Sequence, residues 1–384
     1  MTSTTRPLYF DYAATTPVDE RVIHAMVECL GQAGNFGNPA SSGHAYGASA
    51  RQAVEQARRQ VGELVGADAN DLIWTSGATE SNNLAIKGVA QAAGRGHLIT
   101  SAIEHKAVID TVKLLEQQGF AVTWLQPDER GLIQPQAVSE ALRPDTLLVS
   151  LMLINNELGT LTDIAAIGER VRALGALFHV DAAQATGKVA IDLRQLAVDL
   201  MSFSAHKTYG PKGIGALYVG ERARGALQAQ MHGGGHEQGL RSGTLATHQI
   251  VGMGSAFALA GAVQEEEVAR LGALSRRLRE GLLALPGVRL NGCARQRIAH
   301  TLNVQVDRTG FNSASLAGAL ALSSTSACNS ASTAPSHVLL ALGLTPQQAL
   351  GSLRLSLGRY TQAADVERAL EVIGAALSAP PPLW

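Results

Sequence analysis

From residue 71 to residue 219 the chain repeats one unit: a short apolar run, a loop of small and polar residues, then a stretch with helical spacing. The apolar runs fall at 72–75, 98–101, 121–125, 147–153, 177–180 and 196–203. Strands that alternate with helices imply a mostly parallel sheet covered by helices on both faces. The run 214–219 reads as an edge hairpin that follows it. Ahead of this region come an extended piece stopped at Pro17, an amphipathic helix over 19–30, a breaker-rich loop at 35–44 and a helix over 46–65. Behind it come a glycine-rich loop at 232–244, an Ala/Gly-rich helix and then a charged helix near 265–282. The last third reads as a smaller α+β domain. Its clearest strand, 352–357, puts leucines on one face and Arg354 with its serines on the other. At 384 residues the chain suits a large domain with a smaller companion. We expect the large one at 15–262 and the small one in 1–14 plus 263–384.

Composition narrows the function classes. With 46% hydrophobic and 16% charged residues the chain can bury a core, and a net charge of −1 gives no general attraction for nucleic acid or anionic lipid. No apolar stretch approaches a membrane span, and the first residues lack the layout of a signal peptide, so the expected setting is the cytoplasm. Cys29, Cys293 and Cys328 form an odd, widely spaced set, which argues against a disulfide framework or zinc cage and for one reactive thiol.

The chemically interesting groups cluster at strand ends. Thr79, His105, Asn156, Asp181, Gln184, His206 and Lys207 each follow the carboxyl end of a successive strand, where open α/β sheets form their ligand crevice. Of six lysines, Lys207 alone combines delivery by a strand with small surroundings; Lys106 and Lys188 have no strand to carry them to a crevice. We therefore read Lys207 as the lysine that binds a pyridoxal phosphate, its amine made reactive by partial burial and nearby positive charge. Asp181 would face the pyridine nitrogen, although taken alone it reads better as a helix N-cap. Gln184 could reach the phenolic oxygen of the ring and His105 could stack on its face. The turn 76–79, which includes Ala78 and Thr79, stands between strand and helix and offers N–H groups to a phosphate, with Ser204, His206 and Thr244 as further donors. His232 and His236 are spaced like a metal pair, but the three glycines between them oppose a helix and no third ligand is evident, so no metal is expected.

Cys328 bears on the reaction type. An isolated cysteine is by default buried and inert, yet its neighbours here are serine, threonine, alanine and asparagine, which suit an exposed loop. Cys293 reads as an incidental turn residue.

The segments 11–17, 36–39, 75–81, 104–106, 155–157, 179–182, 204–207, 232–236 and 326–328 run in order along nearly the whole chain. By them it resembles the pyridoxal-phosphate-dependent cysteine desulfurases of the class V aminotransferase-like family, in their long-loop (IscS/NifS-like) type. The resemblance implies a fold type I (aspartate aminotransferase-like) transferase, with the catalytic-cysteine loop at about 323–335 of the small domain. It implies that Lys207 binds pyridoxal 5′-phosphate and shuttles protons, with Asp181, Gln184 and His105 on the ring and Asn156 beside the phenolic oxygen and the substrate. Ala78, Thr79, Ser204 and His206 would hold the phosphate, and Thr244 would reach it from the partner of a homodimer. Arg354 would pair with the substrate carboxylate. The implied reaction converts L-cysteine to L-alanine and leaves the sulfur on Cys328 as a persulfide, for an iron–sulfur scaffold or a tRNA-thiolation relay protein.

Three departures from the family pattern stand out: Thr325 and Ala205 occupy positions where glycine is common, and the chain ends at Trp384 where many relatives continue into a scaffold-docking tail. The rival expectations are a selenocysteine lyase or another aminotransferase-like enzyme, and, outside enzymes, a non-catalytic subunit of a sulfur-relay assembly.

Overall fold

The computed structural model of the chain describes residues 6–308, 311, 313–323 and 334–379. The chain enters through β1 (Leu8–Tyr9), α1 (Glu20–Val27) and α2 (Ala45–Val65). Asp19 caps α1 by accepting from the Arg21 N–H, and α2 ends on Gly66 in the left-handed conformation that glycine tolerates best.

The alternating region then unfolds in space as its spacing predicts. Its elements are β2 (Leu72–Thr75), α3 (Ala78–Ala93), β3 (His97–Ser101), α4 (Lys106–Gln117), β4 (Ala121–Leu125), α5 (Pro135–Ala141), β5 (Thr146–Met152), α6 (Ile164–Ala173), β6 (Leu177–Asp181), β7 (Leu200–Ser204) and β8 (Gly215–Val219). These strands form one seven-stranded sheet in the order β2-β8-β7-β6-β5-β3-β4. Only β8 runs against the rest, pairing antiparallel with both β7 and β2. The expected edge hairpin is thus half right: β7 and β8 do pair, but β2 covers the outer side of β8 and is itself the edge.

Side-chain alternation sorts the sheet into two buried faces. Leu72, Trp74, Val149, Phe178, Met201 and Phe203 join one apolar cluster with α2, α6 and the front of a long helix, while Ile73, Leu98, Leu148, Leu177 and Leu217 join another with α3 and α4. Each fully buried Leu or Phe of this kind stabilises the fold by about 1.5–3 kcal/mol. A helical layer on both sides leaves the strand ends as the place where backbone can meet a ligand.

The long helix is α7 (Thr247–Leu283), 37 residues without interruption. Two helices were expected here from the change from small to charged residues; the structure joins them, because no proline breaks the run and the helix carries through Gly261. Beyond it lie β9 (Val288–Leu290), β10 (Thr301–Val306), β11 (Leu320–Ala321), α8 (His337–Ala341), α9 (Pro346–Leu350), β12 (Ser352–Ser356) and α10 (Ala363–Ser378). An antiparallel sheet β12-β10-β9 packs with α10, the rear of α7 and the N-terminal Phe10 into a third apolar cluster. β1 pairs in parallel with β11 as a separate two-stranded sheet, and a bridge between Asp11 and Ser356 ties this segment to β12. Among the described residues, no helix is long and apolar enough to cross a membrane.

Candidate active site

β7 delivers Lys207. The strand ends at Ser204, a single 3₁₀ turn covers Ala205–Lys207, and Tyr209 follows at φ 60°. A bulky residue rarely takes this left-handed conformation, so it needs outside support. The Tyr209 N–H donates to Thr16 Oγ1 at 2.9 Å, its carbonyl accepts from the Asp19 N–H at 3.0 Å, and its ring lies 4.0 Å from the Arg359 guanidinium. The turn that presents Lys207 is therefore held from three sides. Ala205 is fully buried, and a Cβ on Gly210 would sit 2.9 Å from the Ala205 methyl, so the neighbouring glycine makes room for this departure.

Lys207 opens into a cleft of about 1150 Å³, counted with its mouth. Ala78, Thr79, Ser204 and His206 line one end of it, and His105, Asp181 and Gln184 line the middle. Asn156 and Arg354 stand at the far end. Thr244 is exposed and does not line its own chain's cleft. Cys328, Thr325 and the stretch 324–333 lie outside the described residues.

One end suits a phosphate. No side chain among the described residues caps the first turn of α3, so its N–H groups and helix dipole face the cleft. Ser204 Oγ is buried with no partner among the described residues, a donor in want of an acceptor. Gly77 adopts φ 150°, and a Cβ on Gly215 would come within 2.7 Å of the Gly77 Cα, so this turn is built around bare backbone. His206 Nδ1 meets Thr15 Oγ1 at 3.1 Å; burial first, then the charges of Lys207, Lys212 and Lys188, push its pKa down to about 4.

The middle suits a pyridine ring. Asp181 ends β6 as a buried carboxylate, accepting from Asn82 Nδ2 at 2.8 Å and from the Ala183 N–H at 2.9 Å. It caps a turn, and no α-helix begins there. His105 caps α4 by accepting at Nδ1 from the Ala107 N–H at 3.1 Å, which leaves the neutral ring its proton on Nε2. Burial, then the Lys207 charge, pushes its pKa down to about 4, and a neutral imidazole is the form that stacks well on an electron-poor ring. Gln184 spans the wall: its Nε2 donates to the Ala13 carbonyl at 2.8 Å and its Oε1 accepts from Lys188 Nζ at 2.9 Å. The unpaired hydroxyl, the uncapped helix end and the buried carboxylate together fit pyridoxal 5′-phosphate.

The far end suits a carboxylate. Arg354 is 1% exposed, and its Nη1 donates to the Asn156 carbonyl at 3.1 Å. Its Nη2 donates to Asp11 Oδ1 at 2.7 Å and to Ser323 Oγ at 2.8 Å, and Ser323 Oγ donates in turn to Asp11 Oδ1 at 2.9 Å. Arg354 Nε has no partner among the described residues, a donor left for an incoming anion.

Three residues of this site escape a reading by strand ends. Asp11 comes from the N-terminal segment, where only tertiary pairing with Arg354 reveals it. Asn82 sits one turn into α3, and the helical period that places it behind Thr79 was the available signal. Lys188 was set aside for want of a strand, yet it follows Gln184 by one turn and reaches the same wall. His232 and His236 gather no partners into a cage: among the described residues no group of histidine, cysteine and carboxylate side chains could hold a metal.

Comparison with known proteins follows this geometry. The family model described as aminotransferase class-V matches residues 8–369. The cysteine desulfurase IscS of Azotobacter vinelandii is 57% identical over 385 residues, covering 98% of this chain and 95% of the relative. Among solved structures, a NifS-like protein superposes with a TM-score of 0.89 at 34% identity, covering 97% of this chain and 99% of its own. SspA in complex with cysteine superposes with a TM-score of 0.82 at 40% identity, covering 92% of this chain and all (100%) of its own.

Proposed function

The chain belongs to the aminotransferase class-V family, and from that premise we propose that its cleft is the active site of a cysteine desulfurase. Its cofactor is pyridoxal 5′-phosphate. The observation that carries the reading is the convergence of Lys207, Asp181 and Arg354 on one cleft: an amine, a buried carboxylate and a buried guanidinium around room for a ring. When bound, the cofactor supplies an electron sink that lets the substrate's α-proton leave and weakens its Cβ–sulfur bond.

The chain's own residues do the rest. Arg354, which lines the cleft, binds the carboxylate of L-cysteine beside its contacts to Asp11 and Ser323, with its unpartnered Nε as a further donor, which fixes Cα toward Lys207. Lys207 Nζ takes the Cα proton and returns it. Asp181 would hold positive charge at the ring nitrogen, and neutral His105 would pack on the ring without adding a charge. The Cys328 thiolate takes the sulfur: the Cβ–S bond breaks, a sulfur–sulfur bond forms, and Cβ gains a proton. L-cysteine plus the Cys328 thiol become L-alanine plus the Cys328 persulfide, so no outside oxidant or reductant is needed. The role of Cys328 rests on the family resemblance and on its polar neighbours in sequence.

The working unit is a homodimer. Phe36 and Tyr46 pair at 5.4 Å yet stand 50% and 59% exposed, and Val27 and Leu30 on and just after α1 are each 58% exposed. With Thr244 turned away from its own cleft, a second copy would both cover these side chains and receive that hydroxyl. The sulfur then passes to an iron–sulfur scaffold or a tRNA-thiolation relay protein in the cytoplasm. We keep the small-domain division at 1–14 plus 263–384 as part of the proposal; Phe10 shares one apolar cluster with Leu271, Leu302, Leu353 and Ile373, which supports it, while Ile298, Val338, Leu339 and Ala349 pack with the large sheet's cluster.

The test is a paired measurement of alanine and sulfide from L-cysteine and from L-selenocysteine under reductant. Alanine from cysteine with matching sulfide is the expected result. Strong preference for selenocysteine would point to a lyase instead, and no turnover by cofactor-loaded protein would leave only an interaction role.

A further inference from the structure

Gln184 is held at both ends by partners that allow one orientation only. An ammonium can only donate and a peptide carbonyl can only accept. Lys188 Nζ therefore fixes the oxygen of the amide, and the Ala13 carbonyl fixes its nitrogen. Reversal would set the amide carbonyl against the Ala13 carbonyl and the amide N–H against the ammonium, two unmade hydrogen bonds in a wall where Gln184 is 5% exposed. Ala13 cannot drift to accommodate it, because its own N–H donates to Ser356 Oγ at 2.8 Å. The second N–H of Gln184 is what remains for the cleft.

Lys188 stands behind this wall. It lines a second, narrow pocket of about 20 Å³, which Lys207 and Ala13 separate from the active-site cleft and which Glu267 and His300 also line. Burial, followed by the charges of Lys207 and Arg354 and opposed by Glu267, pushes its pKa down to about 7. As an ammonium it can only donate to Gln184 Oε1; as a neutral amine it can still donate there, and the Ala13 carbonyl then carries the choice of orientation.

We propose that Lys188 is a positioning residue for the cofactor: it locks the Gln184 amide so that the cleft is offered a donor and never the carbonyl. The phenolic oxygen of pyridoxal phosphate, anionic or hydrogen-bonded to an imine nitrogen, needs a donor at that wall; an acceptor there would repel it. The inference rests on the proposed placement of Gln184 against the ring.

The experiment is a double-mutant cycle read as the dissociation constant of pyridoxal 5′-phosphate, from titration of cofactor-free protein followed by visible absorption. Lys188→Met should weaken binding about five- to tenfold, the worth of one hydrogen bond in a buried site. Lys188→Arg, which keeps a donor, should restore binding to within about twofold. In a Gln184→Ala background Lys188→Met should cost nothing further. Equal losses in both backgrounds, or no loss in the wild-type background, would overturn the proposal. Should Lys188→Met lose its thermal unfolding transition, Gln184→Glu decides: it removes the donor and should bind the cofactor more weakly than Gln184→Ala, and wild-type affinity would overturn the lock. Wild-type protein that shows no visible band on titration would instead sink the cofactor site itself.

Discussion

Asp11 and Arg354 are 343 positions apart in the chain and meet at 2.7 Å, Oδ1 to Nη2, in a part of the site where Arg354 is almost wholly buried. The ion pair links the N-terminal segment to the strand β12 and keeps one edge of the guanidinium occupied, while Nε is buried with no partner among the described residues. A buried arginine so arranged is already neutralised in part, so an arriving carboxylate has to share the guanidinium's charge with Asp11.

Arg354→Lys should therefore impair substrate capture more than chemistry. A point charge cannot serve Asp11, Ser323 and the Asn156 carbonyl and also present a planar edge. We expect kcat/KM for L-cysteine to fall roughly 10- to 100-fold, chiefly through KM, with cofactor absorption unchanged. Steady-state kinetics across a wide cysteine range will separate the two parameters.

Asp181→Asn should act on the cofactor side. The substitution keeps one acceptor oxygen, for the Ala183 N–H, and sets a donor against Asn82, whose own unpartnered Oδ1 can turn to accept it; what is lost is the charge that would hold a protonated ring nitrogen. Turnover should drop by about two orders of magnitude, while the melting temperature moves little because the Ala183 bond survives and a turned Asn82 amide can replace the other. Equilibrium dialysis should show weaker retention of pyridoxal 5′-phosphate.

Thr244 makes the dimer testable. Thr244→Val and Lys207→Ala homodimers should each be nearly inactive, for different reasons. A mixed dimer would own one intact site, with Lys207 from the first chain and Thr244 from the second. Unfolding and refolding an equal mixture should recover about a quarter of wild-type activity, half the dimers carrying one good site of two. No recovery would place Thr244 outside the partner's site.

Acid should destabilise the fold. Six histidines, at 97, 105, 179, 206, 300 and 337, are pushed below their usual pKa, above all by burial. The unfolded chain therefore binds more protons than the native one as pH falls from about 6.5, and stability falls with it. Buried Glu104 and Glu157 are pushed upward by burial and act in the opposite sense, losing stability as pH rises, but they are two against six. For fully buried His179, at about 4, the loss between pH 7 and pH 5 is on the order of 1–2 kcal/mol. Urea midpoints at the two pH values should show the native state weaker at the lower one.

Much of this was legible from the chain alone, for physical reasons that differ by element. Strands buried on both faces announce themselves as apolar runs, and their carboxyl ends mark the crevice, so Asp181, His105 and Lys207 fell into place. The long helix α7 did not, because a change in composition without a breaker is no boundary. The edge position of β2 was hidden because antiparallel insertion of β8 is a tertiary choice that local pattern does not encode. Lys188 was missed because a lysine one turn after a strand-end glutamine has no periodic signature; only the Gln184 hydrogen bond reveals it.

The central claim is that sulfur leaves L-cysteine for Cys328, and a single incubation tests it. Cofactor-loaded wild-type protein should be mixed with L-cysteine, digested without reductant and analysed by mass spectrometry beside a count of alanine formed. The account predicts one added sulfur atom on the peptide that contains Cys328, about one alanine per site in the first turnover, and neither in Cys328→Ala beyond a trace. Undiminished alanine and sulfide from Cys328→Ala, or added sulfur on Cys29 or Cys293 in place of Cys328, would contradict it.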